Sequence, residues 1–581
     1  MLRARSRRSV ALVGLAVMLV SPVSVTAAIP RFDTRQPSML IGVAPRSSVD
    51  PIITTGDRIG SYMFDSIPDG IAIRSGVTGT AQVFVNHETS TVPFPYAATG
   101  AVTEANSQND FGNSKLSKLV IDRDRTTIRS ASIVISANRG YQRFCSSFLA
   151  TAAHGFNREI AFMNEEGVDW VNRSGTSWPA TEGADNARQV GVVVAYDVAT
   201  GASRPIWGMG RHNHENSLAV PGYGGPFVLS GDDTFVNTPS QSQLYAYTAR
   251  NADAVWNDTG RLMAFVSDDP TKQRYEDFAR GSRASITGHF IRVPKFIATG
   301  RNADGTDLMS DDAERALGLG NSSTLYDPPT DGSFSRPPGA TTGPSVDGPQ
   351  WVLERWSQLN GVFRFIRLED MAYDKRPGRS NVVYIVDSGR GAAGAVADGK
   401  STNGRVWQLI LNKTNPLKVT SMSILIEGDD NEVKTVNEIH QPDNIETTVN
   451  GIYFTEDPGS SQQFGFTDAT GLNDGRRTTA RIWQYRFSDR AMRVVAKVDQ
   501  SADEGPTDVD SAARGNLGSW EASGIIDVSR WFGPGAFLVT VQAHSLWVAK
   551  DGPADGTGRE GQRWTYKREG GQLVLLRIPN G

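Results

Sequence analysis

The sequence predicts an all-β fold of the β-propeller type, in which short strands repeat around a central axis. Six short apolar runs each end abruptly in a carboxylate or a histidine. Neighbouring runs lie roughly 65–90 residues apart, apart from one gap of about twice that size. Glycine (59) and proline (29) are abundant and segments with helical periodicity are scarce, which favours many strands joined by turns.

Each apolar run is typical of a buried strand that carries a metal-binding side chain at its end. If these strand ends converge on one axis, they concentrate more negative charge than a protein tolerates without cations. The pattern therefore indicates metal-dependent chemistry. The runs are Gln82–Glu88, Ile160–Glu166, Phe227–Asp233, Val382–Asp387, Ile452–Asp457 and Phe537–His544.

Composition excludes some classes of function. The chain has 581 residues, of which 39% are hydrophobic and 21% are charged, as in a soluble protein with a large core. A formal net charge of −4 gives no electrostatic reason to expect a nucleic-acid partner. We expect a monomer without a membrane span.

The first 28 residues are typical of a secretory signal peptide. Four arginines precede an apolar stretch, Val10 to Val20, and small residues follow up to Ala28. The apolar stretch is too short for a comfortable membrane span. The pair Arg7-Arg8 also resembles a twin-arginine signal, so both ordinary and folded-protein export stay open. The mature protein is expected to be secreted or periplasmic.

Residues 29–581 show no clean domain boundary and are interpreted as a single catalytic propeller domain. The region 300–350 is rich in Gly, Pro, Ser, Thr and Asp and predicts a long, irregular insertion between strands. Further strands are predicted at Leu262–Ser267 and Phe290–Val293. Short helices are predicted near Asp311 to Leu317 and Asp277 to Arg280.

Taken singly, each strand end is explained by a turn, because Asp, Asn and Gly commonly end strands. The histidines favour a site: of only seven, His87, His214, His440 and His544 lie in such positions, three of them close to carboxylates. Carboxylate oxygens suit hard cations such as Ca²⁺. The lone cysteine, Cys145, is either a small buried apolar residue or the thiolate ligand of a transition metal. Common zinc motifs, the serine-hydrolase elbow and the phosphate-binding P-loop are absent from the sequence.

Arg367 adds positive charge two residues before Glu369. On a strand these two side chains point to the same face. Arg367 is then either a fork for the phosphoryl or carboxylate oxygens of a substrate, or a partner that neutralises a carboxylate.

The ordered motifs of the chain resemble those of the PhoX-type secreted alkaline phosphatases. One departure is Arg367-Leu-Glu369, where that family is expected to have Arg-Pro-Glu. The motifs are Asn86-His-Glu88, Arg143-Phe-Cys145, Asn164-Glu-Glu166, Gly210 to Glu215, Gly231-Asp-Asp233, Arg367 to Asp370, Gln441 to Asn444, Glu456-Asp457 and Ser523 to Asp527.

The resemblance implies a six-bladed propeller that hydrolyses phosphomonoesters at a central cluster of Ca²⁺ and Fe³⁺ ions, one iron being bound through a cysteine. It implies that Arg367 contacts the phosphate. It implies metal ligands at Glu88, Cys145, Glu165 or Glu166, Glu215, Asp232 or Asp233, Glu369, Asp443, Glu456 and Asp457. The nucleophile stays open.

Two other classes of function stay open. One is a different propeller hydrolase, such as a calcium-dependent lactonase or a phytase-like enzyme. The other is a secreted, non-catalytic propeller that uses Ca²⁺ to hold its sheets together. Calcium without iron would favour the second class, because structural calcium does not need a thiolate.

Overall fold

The computed structural model of the chain describes residues 32–88, 113–168, 170–174, 187–234, 240–328, 347–389, 403–429, 438–457, 479–500, 520–549 and 564–579, with the backbone alone at 544–549 and 564–569. The predicted signal peptide, residues 1–28, lies outside this described part. None of the helices within it has the length and apolar character needed to cross a membrane.

Strands dominate the described residues. In chain order they are β1 (Leu40–Gly42), β2 (Ser48–Thr54), β3 (Arg58–Ile59), β4 (Tyr62–Met63), β5 (Ile67–Ser75), β6 (Thr80–Glu88), β7 (Lys115–Asp122), β8 (Ile128–Ile135), β9 (Phe144–Ala150), β10 (Ile160–Glu165), β11 (Trp170–Asn172), β12 (Ala187–Gln189), β13 (Val193–Asp197), β14 (Ser203–Ile206), β15 (His214–Ala219), β16 (Phe227–Asp232), β17 (Ser242–Thr248), β18 (Arg261–Ser267), β19 (Ser285–Arg292), β20 (Arg364–Phe365), β21 (Leu368–Tyr373), β22 (Val382–Asp387), β23 (Arg405–Leu411), β24 (Lys418–Glu427), β25 (Pro442–Thr447), β26 (Gly451–Glu456), β27 (Arg481–Arg486), β28 (Met492–Val498), β29 (Glu521–Asp527), β30 (Ala536–Ala549) and β31 (Trp564–Arg577).

The helices are short and lie between strands. The α-helices of the described residues are Ala252–Trp256, Lys295–Thr299, Ser310–Ala316, Pro349–Leu359 and Ser529–Phe532. The 3₁₀ turns are Ala137–Arg139, Ala152–His154, Trp207–Met209 and Tyr275–Asp277. The helix predicted near Asp311 to Leu317 is thus present, and it belongs to the region predicted as an insertion.

The strands form antiparallel units of four. The first unit is β5–β8, and the second is β9, β10, β13 and β14. The third unit (β15–β18) and the fourth (β21–β24) belong to one larger sheet, because β19 pairs with both β18 and β24. The fifth unit is β25–β28, and the sixth is β29, β30, β31 and β2. Two short hairpins, β3–β4 and β11–β12, lie outside these units.

The first strands of the units surround a common axis. Each contacts the first strand of the next unit, in the order β5, β9, β15, β21, β25 and β29, and β29 contacts β5. The arrangement of the sheets is therefore propeller-like, as the sequence predicted. The ends of the chain complete it: β2 pairs with β31 and β1 pairs with β28, which covers two sheet edges that would otherwise be exposed.

All six apolar runs are strands, and each is the second strand of its unit: β6, β10, β16, β22, β26 and β30. Their residues are buried on both faces because neighbouring sheets pack face to face. Every residue of β10, β16, β22 and β26 is buried. This two-sided burial explains why the runs are continuously apolar instead of alternating. The weaker strands predicted at Leu262–Ser267 and Phe290–Val293 are present as β18 and the end of β19.

Candidate metal centre

A β-bulge occurs at the equivalent place in the first strand of every unit. In the third unit, His214 pairs with Asp232 and Ser217 pairs with Ser230, so β15 carries one extra residue between them. A bulge re-aims side chains and is frequent next to active sites. The bulged pairs are Asp69–Gly70, Cys145–Ser146, Glu215–Asn216, Glu369–Asp370, Asp443–Asn444 and Ser523–Gly524.

The leading residues of these bulges meet at the axis. The ligand atoms of Asp69 and Cys145 lie within 4.8 Å of one another and of Glu88, which ends β6. The same limit holds within two further groups: Cys145 with Glu166 and Glu215, and Glu215 with Glu369 and Asp443. The three overlapping groups form one cluster, which we call the acid cluster. It contains Asp69, Glu88, Cys145, Glu166, Glu215, Glu369 and Asp443, and each of these side chains is buried.

Two carboxylates predicted as ligands are held by their own sheets instead. Glu165 accepts hydrogen bonds from both terminal nitrogens of Arg188, at 2.9 Å each, and from the backbone N–H groups of Gln142, Gly191 and Val192. This set of partners uses the lone pairs of the carboxylate, so Glu165 is left out of the ligand set and Glu166 is retained.

Glu456 is held in the same way in the fifth unit. Its oxygens accept hydrogen bonds from the Arg481 side chain at 2.8 Å, from the Trp483 indole at 2.8 Å and from the backbone N–H of His440 at 2.9 Å. Glu456 is therefore also left out, and the residue after it, Asp457, lies nearer the cluster.

Asp232 and Asp233 also have different partners. Asp232 accepts a hydrogen bond from the backbone N–H of Asn213 at 3.1 Å and lies 3.8 Å from Nδ1 of His212, away from the acid cluster. Asp233 instead accepts a bidentate hydrogen bond from Arg367, at 2.9 and 2.6 Å. The first acid of each strand-end pair thus binds its own sheet, and the second faces the axis.

Two of the histidines near the strand ends, His87 and His214, contact polar groups of the protein. His87 contacts the carbonyl of Asp65 at 2.6 Å and the hydroxyl of Ser117 at 2.7 Å. His214 contacts the Ser230 hydroxyl at 2.9 Å and the carbonyl of Gly210 at 3.1 Å. The side chain of His544 lies outside the described part. Neither His87 nor His214 is among the predicted metal ligands, and both are held by hydrogen-bonding groups of the protein.

Arg367 lies at the edge of the acid cluster. Besides the bidentate pair with Asp233, its guanidinium lies 3.2 Å from Glu369 and 4.0 Å from Asp457. A second cation, Arg143, lies close to the cluster. Its positive charge lowers the pKa of Glu88 and Glu166 and so opposes part of the increase that burial causes. Arg143 has φ 43°, a backbone conformation that is costly for a residue other than glycine and is typical of functional sites.

Two acids of the centre were not predicted from the sequence. Asp69 is the third residue of β5 and is fully buried, and its Oδ2 has no hydrogen-bond partner among the described residues. Glu521 opens β29, and burial, followed by the charge of Asp457, raises its pKa. The sequence held a signal for Asp69: an acid followed by a small or polar residue before an apolar strand, as in Glu215-Asn and Asp443-Asn.

A layer of hydroxyl and amide groups supports the acid cluster. The Ser146 hydroxyl donates to Glu215 Oε1 at 2.7 Å and accepts from Asn444 Nδ2 at 2.8 Å. The Ser523 hydroxyl donates to Asp69 and lies 3.2 Å from Asn444 Oδ1. These polar contacts bring together groups from five of the six units.

The electrostatics of the cluster favour bound cations. Burial, followed by the charges of neighbouring acids, raises the pKa of Glu88 and Glu215 well above the usual value, and burial does the same for Glu166, Glu369 and Asp443. Burial raises the pKa of the Cys145 thiol, and the surrounding carboxylates raise it further. So many buried acids can ionise together only if cations neutralise them. The unpartnered Asp69 oxygen and this mixture of oxygen and sulfur donors fit metal ions.

Searches with protein-family models and among curated proteins find no match. Among solved structures, the chain is similar to Pseudomonas fluorescens PhoX in complex with vanadate, a transition state analogue. The TM-score is 0.52 and the identity 12%, over 95% of this chain and 98% of that one. At this identity the likeness shows a PhoX-like fold.

Two further structures are more distant. A protein of unknown function from Dyadobacter fermentans has a TM-score of 0.34 at 8% identity, covering 93% of this chain and 99% of that one. The NanB sialidase from Streptococcus pneumoniae has a TM-score of 0.29 at 9% identity, covering 91% and 71%.

Proposed function

We propose that the chain is an exported, metal-dependent phosphatase that hydrolyses phosphomonoesters at the acid cluster. The observation that carries the proposal is the meeting of six buried carboxylates and the lone thiol at one axis, with Arg367 at their edge. The PhoX-like fold supports the same reaction class. The substrate is a small phosphoester.

The metals are Ca²⁺ and Fe³⁺. The thiolate of Cys145 with Glu166 and Glu215 would hold the iron, because sulfur donors suit a transition metal. The all-oxygen group of Glu215, Glu369 and Asp443 would hold calcium, with Asp457 and Glu521 as further carboxylates nearby. Bound cations neutralise the negative charge of the transferring phosphoryl group and lower the pKa of a bound water.

Arg367 is the proposed phosphate-binding residue. Asp233 fixes its guanidinium with two hydrogen bonds, so the side chain is oriented before substrate arrives. A planar guanidinium matches the oxygens of a phosphoryl group. Arg143 is the proposed second cation for the same group.

We extend the proposal to the architecture, export and oligomeric state of the whole chain. The six four-stranded units support a six-bladed propeller formed by residues 29–581 as a single domain, with an irregular insertion at about 300–350. Residues 1–28 support export as a signal peptide, by the ordinary or the twin-arginine route. A monomer is the simplest oligomeric state for a ring that pairing between its own first and last strands closes.

The test is release of phosphate from an aryl phosphate by the purified mature protein with Ca²⁺ present. Activity should be lost on chelation and return with the metals. Arg367→Ala should reduce kcat/KM by about 10²–10³-fold, the cost of removing a preorganised group that stabilises transition-state charge. An exposed arginine at the surface, Arg315, provides the matched Arg→Ala control. A folded, metal-loaded sample without phosphatase activity rejects the proposal.

A further inference from the structure

A cavity of about 390 Å³ lies between the six first strands, next to the bulges that carry the acid cluster. Each of the six first strands contributes to its wall. The floor is formed by the second residue of each bulge, and these residues are Gly70, Ser146, Asn216, Asp370, Asn444 and Gly524. The cavity is large enough for a small organic ligand, since such pockets measure about 300–1,000 Å³.

The floor contains hydrogen-bonding groups that the protein does not use. Asn216 is 3% exposed, and its Oδ1 has no hydrogen-bond partner among the described residues. The hydroxyl of the neighbouring wall residue Ser147 is also buried without a partner. By contrast, Ser146 and Asn444 on the same floor are bonded to each other. A buried amide without a partner costs free energy, and a ligand that bonds to it recovers that cost.

The walls are apolar and the entrance is polar. Side chains such as Ile71, Met371 and Ile525 line the middle of the cavity. At the entrance, Lys375 pairs with Glu446 at 2.8 Å, and Trp531 lies on the rim. A ligand must therefore place an apolar body between the strands and a hydrogen-bonding head on the floor.

The charged groups of the lining favour an uncharged head. Asp370 lies on the floor, and its two oxygens accept backbone N–H groups from Met371 at 2.6 Å and Ile445 at 3.1 Å. The cations of the lining, Lys375 and Arg530, are accompanied by the acids Glu446 and Asp527, and Lys375 pairs with Glu446. A carboxylate or phosphate head on the floor would lie beside the acid Asp370.

We propose that this cavity binds an uncharged amphiphile, a small molecule with a primary amide or hydroxyl head and an apolar body of about six carbons. The head hydrogen-bonds to the Asn216 amide and the Ser147 hydroxyl. The body packs against the apolar walls. The site is independent of the phosphatase proposal, because its occupancy is measured without any reaction.

The test is titration of the purified mature protein with hexanamide, followed by ligand-observed NMR and calorimetry, with hexanoate as the charged comparison. Wild type should bind hexanamide saturably in the millimolar range, at least tenfold more tightly than hexanoate. Asn216→Leu, which keeps the side-chain size but removes the amide, should weaken binding about tenfold. Ala372→Phe should abolish binding, because Ala372 lines the cavity and the added ring fills it.

Val77→Ser is the matched control, since Val77 is 72% exposed and lies outside the cavity. It should bind hexanamide as wild type does. Ser147→Ala, which removes the hydroxyl of the neighbouring wall residue, serves as a second variant should Asn216→Leu not fold. It should weaken hexanamide binding severalfold. The proposal is overturned by no saturable binding to wild type, by equal affinity in the wild type and the folded floor and filling variants, or by tighter binding of hexanoate.

Discussion

Ser146 lies between the acid cluster and the axial cavity. Its hydroxyl supports the Glu215 carboxylate in the acid cluster, while its position on the bulge places it on the floor of the axial cavity. Its carbonyl accepts from Asn164 Nδ2 at 2.8 Å, which ties β9 to β10. Residues that orient metal ligands in this way commonly matter almost as much as the ligands.

Ser146→Ala should weaken metal binding by about 10–100-fold, because Glu215 loses the donor that orients it and Asn444 loses an acceptor. Elemental analysis after dialysis against limiting metal measures the effect. Ser147→Ala is the matched control, since the Ser147 hydroxyl has no hydrogen-bond partner within the described part of the chain. Equal metal contents in the two variants would show that Ser146 does not position Glu215.

Cys145→Ala should remove the transition metal and leave calcium in place, because the remaining donors are oxygens. Iron and calcium per chain are measured by elemental analysis, with thermal unfolding as the control for folding. Iron retained at the wild-type level would contradict the assignment of Cys145 as a ligand.

At the scale of the element, the repeated bulge decides which side chains reach the axis. A β-bulge places two residues of one strand opposite a single residue of its partner and re-aims their side chains. At the bulge Glu215–Asn216, Glu215 belongs to the acid cluster and Asn216 lines the cavity floor. The same local device therefore builds both sites.

Gly70→Ala should disturb this device in the first unit. A Cβ atom on Gly70 would lie 2.4 Å from the backbone nitrogen of Ser147 and 2.5 Å from the carbonyl oxygen of Cys145, and neither backbone atom can move freely. We expect a loss of about 1–3 kcal/mol in the free energy of unfolding, together with weaker iron binding. Chemical denaturation and elemental analysis measure the two effects.

The control for Gly70 is Gly224→Ala, because a Cβ atom there meets nothing within 4 Å. That variant should be neutral or slightly more stable than wild type, since alanine restricts the unfolded chain. A Gly70 variant that behaves like the Gly224 variant would show that the bulge tolerates a side chain.

The second strands were predictable from the sequence, whereas the bulges were not. Two-sided burial leaves a continuous apolar run such as Val382–Asp387, which can be seen without a structure. A bulge depends on the register between two strands, so the role of Asp69 was missed. The sequence also could not show which of Glu165 and Glu166 faces the cluster. Glu165 pairs with Arg188, which lies 23 residues away along the chain.

At the scale of the whole molecule, charge repulsion and ring closure oppose each other. The acid cluster gathers carboxylates from five units, while the pairing of β2 with β31 and of β1 with β28 holds the ring closed. The sequence predicted this concentration of charge, but the pairing of β2 with β31 joins strands more than 500 residues apart in sequence, which the sequence does not reveal. In the proposed metal-bound state, cations would neutralise this charge and so reconcile the two features.

The metal-stripped protein should lose stability as the pH rises. The pKa values of Glu88, Glu166, Glu215, Glu369 and Asp443 are raised by burial above 4.5 for glutamate and 3.8 for aspartate. The folded state therefore binds more protons than the unfolded state, and the free energy of unfolding falls as these groups ionise. Added Ca²⁺ should reverse the loss, because cations replace the protons. Thermal unfolding between about pH 5 and pH 8, with and without chelator, measures both effects. A melting temperature of the chelated protein that stays level or rises over this range would mean that the carboxylates do not crowd together at the axis.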